Sequence, residues 1–203
     1  MRFVLASNNA HKLEEFREIL SGSGVEVLSQ REAGIAVEPE ENGATFEENS
    51  LIKARAACAA AGLPAIADDS GLTVPALNGE PGIYSARYGG PGLKDAERYG
   101  YLLERMKDVE DRRASFVCCV SCVFPDGDEL TARGECRGQI LRAPEGDGGF
   151  GYDPVFLSDD LGKSLGTASP EEKNGISHRG RALRAMCAEL EEYFGKKDGG
   201  RAE

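Results

Sequence analysis

Long apolar stretches and histidine are both scarce in this 203-residue sequence. No apolar run approaches the roughly 18 residues of a membrane-spanning helix, so we expect no membrane partner. The histidines, His11 and His178, are too few for a histidine-rich metal site. The first residues have too short an apolar run for a signal peptide, and we expect a first β-strand there and a cytoplasmic protein.

Basic residues are outnumbered, with 24 Lys and Arg against 35 Asp and Glu and a formal net charge of −11. Proteins that bind duplex nucleic acid present a basic face that neutralises phosphates, so this balance argues against such a partner. An acidic protein that handles a polyphosphate must concentrate positive charge locally or recruit metal ions.

The six cysteines do not indicate a disulfide framework. Cys118, Cys119 and Cys122 fall in one apolar segment, where cysteine commonly packs as a small hydrophobe. Cys119 and Cys122 form a CxxC pair, which can indicate redox chemistry or zinc, but no second pair follows at zinc-ribbon spacing. We expect core packing and reduced thiols, which fit a reducing compartment.

The distribution of apolar residues predicts alternating strands and helices, and therefore an α/β fold. Strands are predicted at 2–6, 25–28, 65–67, 114–124 and 130–140, with the fourth central and joined to the fifth by a hairpin. Helices are predicted at about 10–20, 45–61, 94–106 and 179–194. The polar, Gly-rich residues 196–203 are expected to form a disordered tail, which leaves 1–195 as the domain.

A candidate phosphate site lies at the start of the first helix. The turn Ser7-Asn8-Asn9 leads into this helix, and Lys12 lies in its first turn. Backbone N–H groups and the positive end of the helix dipole favour anions there. The spaced glycines of a Walker A loop are missing, and an ordinary strand–turn–helix junction has the same pattern.

The helix that begins at Thr45 carries a second candidate. Glu48 follows three residues later, as in a capping box. Asn49 and Lys53 then share one face. Lys53 either points at phosphate oxygens or extends into solvent, and the spacing does not decide between the two.

The acidic pair Asp68-Asp69 follows the short apolar strand at 65–67. In open α/β sheets, ligands gather beyond the carboxyl ends of strands. Adjacent carboxylates there suit Mg²⁺, which takes one or two carboxylates and completes its shell with water and phosphate oxygens. The alternative is a turn with two solvated aspartates. Glutamates of the preceding acidic loop, Glu38, Glu40 and Glu41, are candidates for a further ligand.

Two later segments suit recognition of a base. In the run 148–154, Phe150 and Tyr152 are flanked by glycines and followed by Asp153, which offers a ring for stacking and a carboxylate for a base N–H; an ordinary Gly-rich turn is the alternative. His178 and Arg179 begin a helix after Ser177, a reasonable N-cap. Cations are unfavourable at that helix end unless an anion compensates, and such a local conflict indicates function.

The order of these motifs resembles one family, the inosine/xanthosine triphosphate pyrophosphatases, which remove non-standard purine nucleotides. The resemblance runs from residue 2 to about 194 and is most specific at ADDSGLTVPALNGEPGIYSARY (67–88) and GGFGYDPVF (148–156). It implies an elongated, two-lobed α/β fold with a mixed β-sheet flanked by helices, an active-site cleft between the lobes, and a homodimer. Ser7 and Asn8 replace the Thr and Gly that are frequent in the family.

The resemblance also implies roles for individual residues. Asp69 is the expected proton acceptor, Lys53 the catalytic phosphate contact, and Glu41 and Asp69 the Mg²⁺ ligands, with Asp68 a less certain one. The expected substrate-binding residues are Ser7, Asn8, Asn9, Ala10, His11, Lys12, Ser70, Phe150, Gly151, Tyr152, Asp153, Lys173, His178 and Arg179.

The implied reaction converts ITP, dITP, XTP or dXTP to the nucleoside monophosphate and pyrophosphate. Water attacks the α-phosphorus with Mg²⁺ assistance. Two alternatives remain from the residues: a pyrophosphatase that acts on modified pyrimidine nucleotides, and an inactive nucleotide-binding protein. The FGYD loop and the Ser-His-Arg run favour the purine enzyme over the first, and Lys12, Lys53, Asp68 and Asp69 argue against the second.

Overall fold

The computed structural model describes residues 1–199 and confirms an α/β fold, in which an open mixed sheet is flanked by helices. The strands are β1 (Arg2–Leu5), β2 (Glu26–Leu28), β3 (Ala65–Thr73), β4 (Arg113–Val123), β5 (Glu129–Ile140), β6 (Phe156–Ser158) and β7 (Lys163–Ser164). The helices are α1 (Ala10–Leu20), α2 (Phe46–Ala61), α3 (Asp95–Arg105), α4 (Pro170–Ile176) and α5 (His178–Gly199).

The seven strands lie in the order β2-β1-β3-β4-β5-β6-β7. β1 pairs in parallel with both β2 and β3. β6 pairs antiparallel with both β5 and β7. The predicted central position of β4 is confirmed, and its residues from Val117 onward are buried on both faces.

The chain divides into two compact units. The first contains residues 1–69, 118–134 and the chain from 179 onward, and the second contains 70–117 and 135–178. In the first unit, α1 and α5 cover the sheet face that carries Ile66 and Cys118, while α2 covers the face that carries Ala65 and Ala67. In the second, Leu102 and other residues of α3 pack with apolar residues from β3, β4 and β5.

The predicted Thr45 cap and the Gly62 end of α2 are confirmed, whereas the predicted capping box is displaced by one residue. Asn9 caps α1, and Thr45 caps α2 by accepting the Glu48 N–H at 3.1 Å. The Glu48 carboxylate accepts the N–H of Ala44 at 2.6 Å, one residue before the position that a capping box predicts. Gly62 ends α2 in the left-handed conformation that glycine adopts without strain.

Cysteine packing agrees with the sequence interpretation. Cys118, Cys119 and Cys122 are buried in β4. Cys119 and Cys122 are three residues apart in a strand, so their side chains point to opposite faces. Within residues 1–199, no helix is both long and apolar enough to cross a bilayer.

Three local predictions differ from the structure. β3 continues through Asp68 and Asp69 to Thr73, so the acidic pair lies within a strand and not after its end. Helix α4 was not predicted, although Ser169 and Glu172 form a full capping box at its start. Helix α5 continues to Gly199, so residues 196–199 of the predicted tail are helical, and the prediction for 200–203 lies outside the described residues.

Candidate active site

Asp68 and Asp69 point to opposite faces of β3, because side chains alternate along a strand. Asp68 lies on the face of Ile66, which α1 and α5 cover, and Asp69 lies on the face of Ala67, which α2 covers. The two carboxylates therefore have separate sets of partners within the first unit.

Asp69 and Glu41 share the ammonium group of Lys53. The Lys53 Nζ lies 3.1 Å from Asp69 Oδ1 and 2.9 Å from Glu41 Oε2. The second Asp69 oxygen, Oδ2, accepts a hydrogen bond from Asn49 Nδ2 at 3.4 Å. Two of the three predicted metal ligands thus converge on one cation, which is the kind of position that a metal ion occupies.

The pKa values of Asp69 and Lys53 are both raised, for different physical reasons. Burial raises the pKa of Asp69 above its usual value, although the Lys53 ammonium opposes that shift. Burial alone would lower the pKa of Lys53, but the Asp69 and Glu41 carboxylates raise it. Lys53 is therefore charged at neutral pH, and Asp69 is a stronger base than an exposed aspartate.

Asp68 is 3% exposed and is paired with two cations. Its Oδ1 lies 2.8 Å from Lys12 Nζ in α1, and its Oδ2 lies 3.2 Å from Arg179 Nε in α5. Arg179 also contacts Glu15, with 3.0 Å between NH1 and Oε2. Asp68 therefore does not converge with Glu41 and Asp69, and it joins two predicted substrate-binding residues instead.

The cations keep Asp68 ionised despite its burial. Burial opposes the charged form, but Lys12 and Arg179 hold the pKa of Asp68 well below its usual range. Burial would lower the pKa of Arg179, whereas Asp68 and Glu15 raise it. Burial raises the pKa of the nearby Cys118 thiol, whose Sγ lies 4.0 Å from Asp68 Oδ2.

The predicted phosphate turn forms hydrogen bonds within itself. Asn9 Oδ1 accepts the N–H groups of His11 and Lys12 at 3.0 and 3.3 Å, and the Asn9 N–H donates to Ser7 Oγ at 3.2 Å. Asn8 Nδ2 donates to Glu38 Oε1 of the acidic loop at 3.1 Å. The His11 side chain is 98% exposed, with Nδ1 4.0 Å from Glu14 Oε2, and its contact with substrate stays a prediction.

The second unit organises the predicted base-binding loop around Asp153, which is 2% exposed. Asp153 Oδ2 accepts the Phe150 N–H at 2.8 Å and forms an ion pair with Lys173. Lys173 Nζ lies 4.0 Å from the centroid of the Phe150 ring, which is 66% exposed. Tyr152 is buried and donates its hydroxyl to the Ser85 carbonyl at 2.8 Å. Phe150 is thus the aromatic ring of this loop that is open to a ligand.

Four further residues were predicted to bind substrate, namely Gly151, His178, Ser70 and Ala10. The Gly151 N–H donates to Asp95 Oδ2 at 2.7 Å, which ties the loop to the start of α3. His178 begins α5 and stacks on Phe116, with ring centroids 5.2 Å apart. Ser70 is half-buried within β3, and Ala10 is the exposed first residue of α1.

Two contacts at the candidate site were not predicted, that of Glu15 with Arg179 and that of Asn49 with Asp69. Glu15 contacts Arg179 although 164 positions separate them, and no sequence pattern indicates that pairing. Asn49 was noted for its helical spacing, but its contact with Asp69 depends on how α2 packs on β3. Over residues 1–199, no three His, Cys, Asp or Glu side chains are grouped as a metal site.

Known proteins resemble this chain over nearly its whole length. The model of the Ham1 family matches residues 3–189. A dITP/XTP pyrophosphatase of Deinococcus deserti is 50% identical and covers 91% of this chain and 87% of its own. One from Thermus thermophilus is 49% identical and covers 98% and 93%. A solved HAM1 protein from Coxiella burnetii has a TM-score of 0.89 and 43% identity, covering 95% of this chain and 99% of its own.

The sheet order and the carboxylates gathered around Lys53 define an α/β protein with an acidic, cation-holding site on β3. More particularly, the chain belongs to the Ham1 family. The family resemblance predicted from the motifs is confirmed.

Proposed function

We propose that this chain hydrolyses non-standard purine nucleoside triphosphates, namely ITP, dITP, XTP and dXTP, to the monophosphate and pyrophosphate. The relatives that share about half of its residues are named dITP/XTP pyrophosphatases. The observation that carries the proposal is the convergence of Glu41 and Asp69 on the Lys53 ammonium, at 2.9 and 3.1 Å.

Nucleotide pyrophosphatases generally need a divalent metal. The donor set fits one, because Glu41 and Asp69 are carboxylates that already converge on a cation, and Mg²⁺ is bound through one or two carboxylates plus phosphate oxygens. We assign Mg²⁺ to these two residues. When bound, the ion would offset the negative charge of the phosphate oxygens.

Asp69 is our candidate for the proton acceptor. Its side chain is 17% exposed, so it is accessible to water, and burial raises its pKa above that of an ordinary aspartate. In the proposed reaction, a water oxygen attacks the α-phosphorus while its proton passes to Asp69. The bond from the α-phosphorus to the bridging oxygen breaks, and pyrophosphate leaves with the electron pair.

Lys53 and Lys12 supply positive charge for the phosphates. The Lys53 ammonium lies beside Asp69, and Lys12 is held by Asp68 with one of its three N–H donors. Fixed ammonium groups stabilise the charge that develops on the oxygens in the transition state. We assign the triphosphate to residues 7–12 and Ser70.

Recognition of the base and sugar is assigned to Phe150, Gly151, Tyr152, Asp153, Lys173, His178 and Arg179. Hypoxanthine and xanthine present an acceptor oxygen at C6, where adenine presents an amino donor. A site that donates a hydrogen bond there would face adenine with two donors, and such sites discriminate by about 10⁴ or more. The exposed Phe150 ring offers a surface on which the base can stack.

We also propose that the enzyme acts in the cytoplasm as a homodimer. Six free cysteines, five of them buried, suit a reducing compartment. Size-exclusion chromatography with light scattering would test the dimer directly.

The decisive experiment is a phosphate-release assay coupled to inorganic pyrophosphatase. The substrates are ITP, dITP, XTP, GTP, ATP and a modified pyrimidine triphosphate, each assayed with and without Mg²⁺. We expect turnover of ITP, dITP and XTP that depends on the metal and far exceeds that of ATP. Turnover of the pyrimidine alone, or of no nucleotide, would overturn the proposal.

A further inference from the structure

The side chain of Asn49 is buried beside the Asp69 carboxylate. Asn49 is 2% exposed and lies on α2, four residues before Lys53. Buried polar side chains in folded proteins almost always form hydrogen bonds. Its hydrogen-bond partners therefore indicate what the residue does.

The two ends of the Asn49 amide contact two different chain segments. Nδ2 donates to Asp69 Oδ2 at 3.4 Å, and Oδ1 accepts the backbone N–H of Gly43 at 2.9 Å. Gly43 lies two residues after Glu41 in the acidic loop. One side chain thus joins the strand that carries Asp69 to the loop that carries Glu41.

The contact with Gly43 leaves no space for a larger residue. A Cβ atom at position 43 would lie 2.7 Å from Asn49 Oδ1 and 2.7 Å from Glu48 Cβ, which is closer than real Cβ atoms approach. The glycine therefore permits the loop to approach α2 closely enough for the hydrogen bond to form.

Asn49 and Lys53 together fix both oxygens of Asp69. Lys53 Nζ contacts Oδ1 at 3.1 Å, while Asn49 Nδ2 contacts Oδ2. Because Asn49 and Lys53 are one helical turn apart, their side chains reach the same carboxylate from one face of α2. The rotation of the Asp69 carboxylate is then set by two donors on a rigid helix.

We infer that Asn49 is a positioning residue that orients the Asp69 carboxylate and holds the Glu41 loop beside it. The inference rests on the proposed function for its catalytic consequence, but the geometry it describes is independent of the substrate. Partners behind metal ligands typically change metal affinity or activity by about 10–100-fold when removed.

Two substitutions separate the two contacts of Asn49. Asn49→Ala removes both, whereas Asn49→Asp keeps an acceptor for the Gly43 N–H and removes the donor to Asp69. Arg55→Gln is the matched control, because Arg55 lies on the same helix and pairs with Glu129 at 2.7 Å, away from the site.

Three measurements test the inference. Steady-state kinetics with dITP give kcat and KM, electron paramagnetic resonance gives Mn²⁺ affinity without nucleotide, and amide exchange measured by NMR reports on the Gly43 N–H. We expect Asn49→Ala to lower kcat by about 10–100-fold, to weaken Mn²⁺ binding by about 10-fold and to speed exchange at Gly43. Asn49→Asp should lower kcat while Gly43 exchanges as slowly as in the wild type, and Arg55→Gln should change none of the three.

A wild-type kcat and Mn²⁺ affinity in folded Asn49→Ala would overturn the inference, and so would unchanged exchange at Gly43. If Asn49→Ala does not fold, the test uses Asn49→Asp, and a wild-type kcat in that variant would also overturn the inference. If wild-type protein hydrolyses no nucleoside triphosphate, the proposed function fails. Mn²⁺ affinity and Gly43 exchange then still decide the role of Asn49.

Discussion

Asp68 and Asp69 are adjacent in β3, yet their carboxylates lie on opposite faces of the strand and contact different helices. Asp68 is bonded to Lys12 of α1 and Arg179 of α5, and Asp69 to Lys53 and Asn49 of α2. The Asp68 carboxylate therefore holds two basic side chains in place, while the Asp69 carboxylate is accessible to water and lies at the candidate metal site. This division leads to different predictions for the two residues.

Asp69→Asn is expected to abolish most of the activity and leave the fold intact. The substitution removes the proton acceptor but keeps the size of the side chain, and general-base roles typically contribute about 10²–10⁴-fold to the rate. The measurement is kcat for dITP, with circular dichroism to confirm folding. Activity close to that of the wild type in a folded variant would show that another group accepts the proton.

Lys53→Met is expected to lower kcat and to tighten the binding of Mn²⁺ measured without nucleotide. The Lys53 ammonium now occupies the position between Glu41 and Asp69, so its removal leaves two carboxylates free to hold a divalent ion. Turnover falls because a cation that stabilises the phosphate charge is lost.

Lys107→Met serves as the control for Lys53→Met, since Lys107 is exposed and pairs with Glu104 just after the end of α3. It should alter neither quantity. Weaker Mn²⁺ binding in Lys53→Met would mean that the ammonium supports the metal site and does not compete for it.

The sequence carried enough information for the class of fold and for the chain segments that carry the candidate site, but not for the contacts that neighbouring residues make. Helix boundaries followed from local signals such as the Thr45 cap and Gly62, whose chemistry acts within a few residues. The continuation of β3 through the acidic pair did not, because strand pairing joins β3 to β1 and β4, which are distant in the sequence. Arg179 is 111 positions from Asp68, and only the folded chain brings the two together.

The same limit applies to Glu41 and Asn49. Glu41 was placed at the metal site by family resemblance, since no spacing rule connects it to Asp69. Asn49 lies on the predicted face of α2, but its contact with Gly43 depends on a loop whose glycine allows close approach. Local patterns therefore located α1, α2 and the start of α5 but missed α4, which carries Lys173, and tertiary packing determined which side chains meet.

Asp68 is expected to make stability sensitive to acid. Lys12 and Arg179 hold its folded-state pKa below the unfolded value of about 3.9, so its contribution is complete above that pH. The contribution is lost as pH falls through the folded pKa, because the unfolded chain then binds the proton more readily. Asp68→Asn should destabilise the protein by about 3–5 kcal/mol at pH 7, as expected when one partner of a buried pair is removed.

Urea unfolding of wild type and Asp68→Asn at several pH values tests this prediction. The difference in unfolding free energy should stay constant from pH 7 down to about pH 4 and shrink below that pH, because the unfolded chain then protonates Asp68 while the folded protein still holds it ionised. Asp108→Asn is the control, because Asp108 is exposed to solvent, where charge interactions are screened. A difference that stays constant with pH would mean that the charge of Asp68 does not support the fold.

Phe150→Ala is expected to raise KM for dITP while kcat changes little. The ring is 66% exposed, so its removal leaves the apolar core of the second unit intact. A contact that is equally strong in the ground state and the transition state changes KM and leaves kcat unaltered. Stacking on an aromatic ring typically contributes about 1–3 kcal/mol per base, which corresponds to roughly 5–150-fold in KM. Phe150→Tyr keeps the ring and should restore the wild-type value. If Phe150→Ala lowered kcat at an unchanged KM, the ring would act in the chemical step, and its assignment to the base would be wrong.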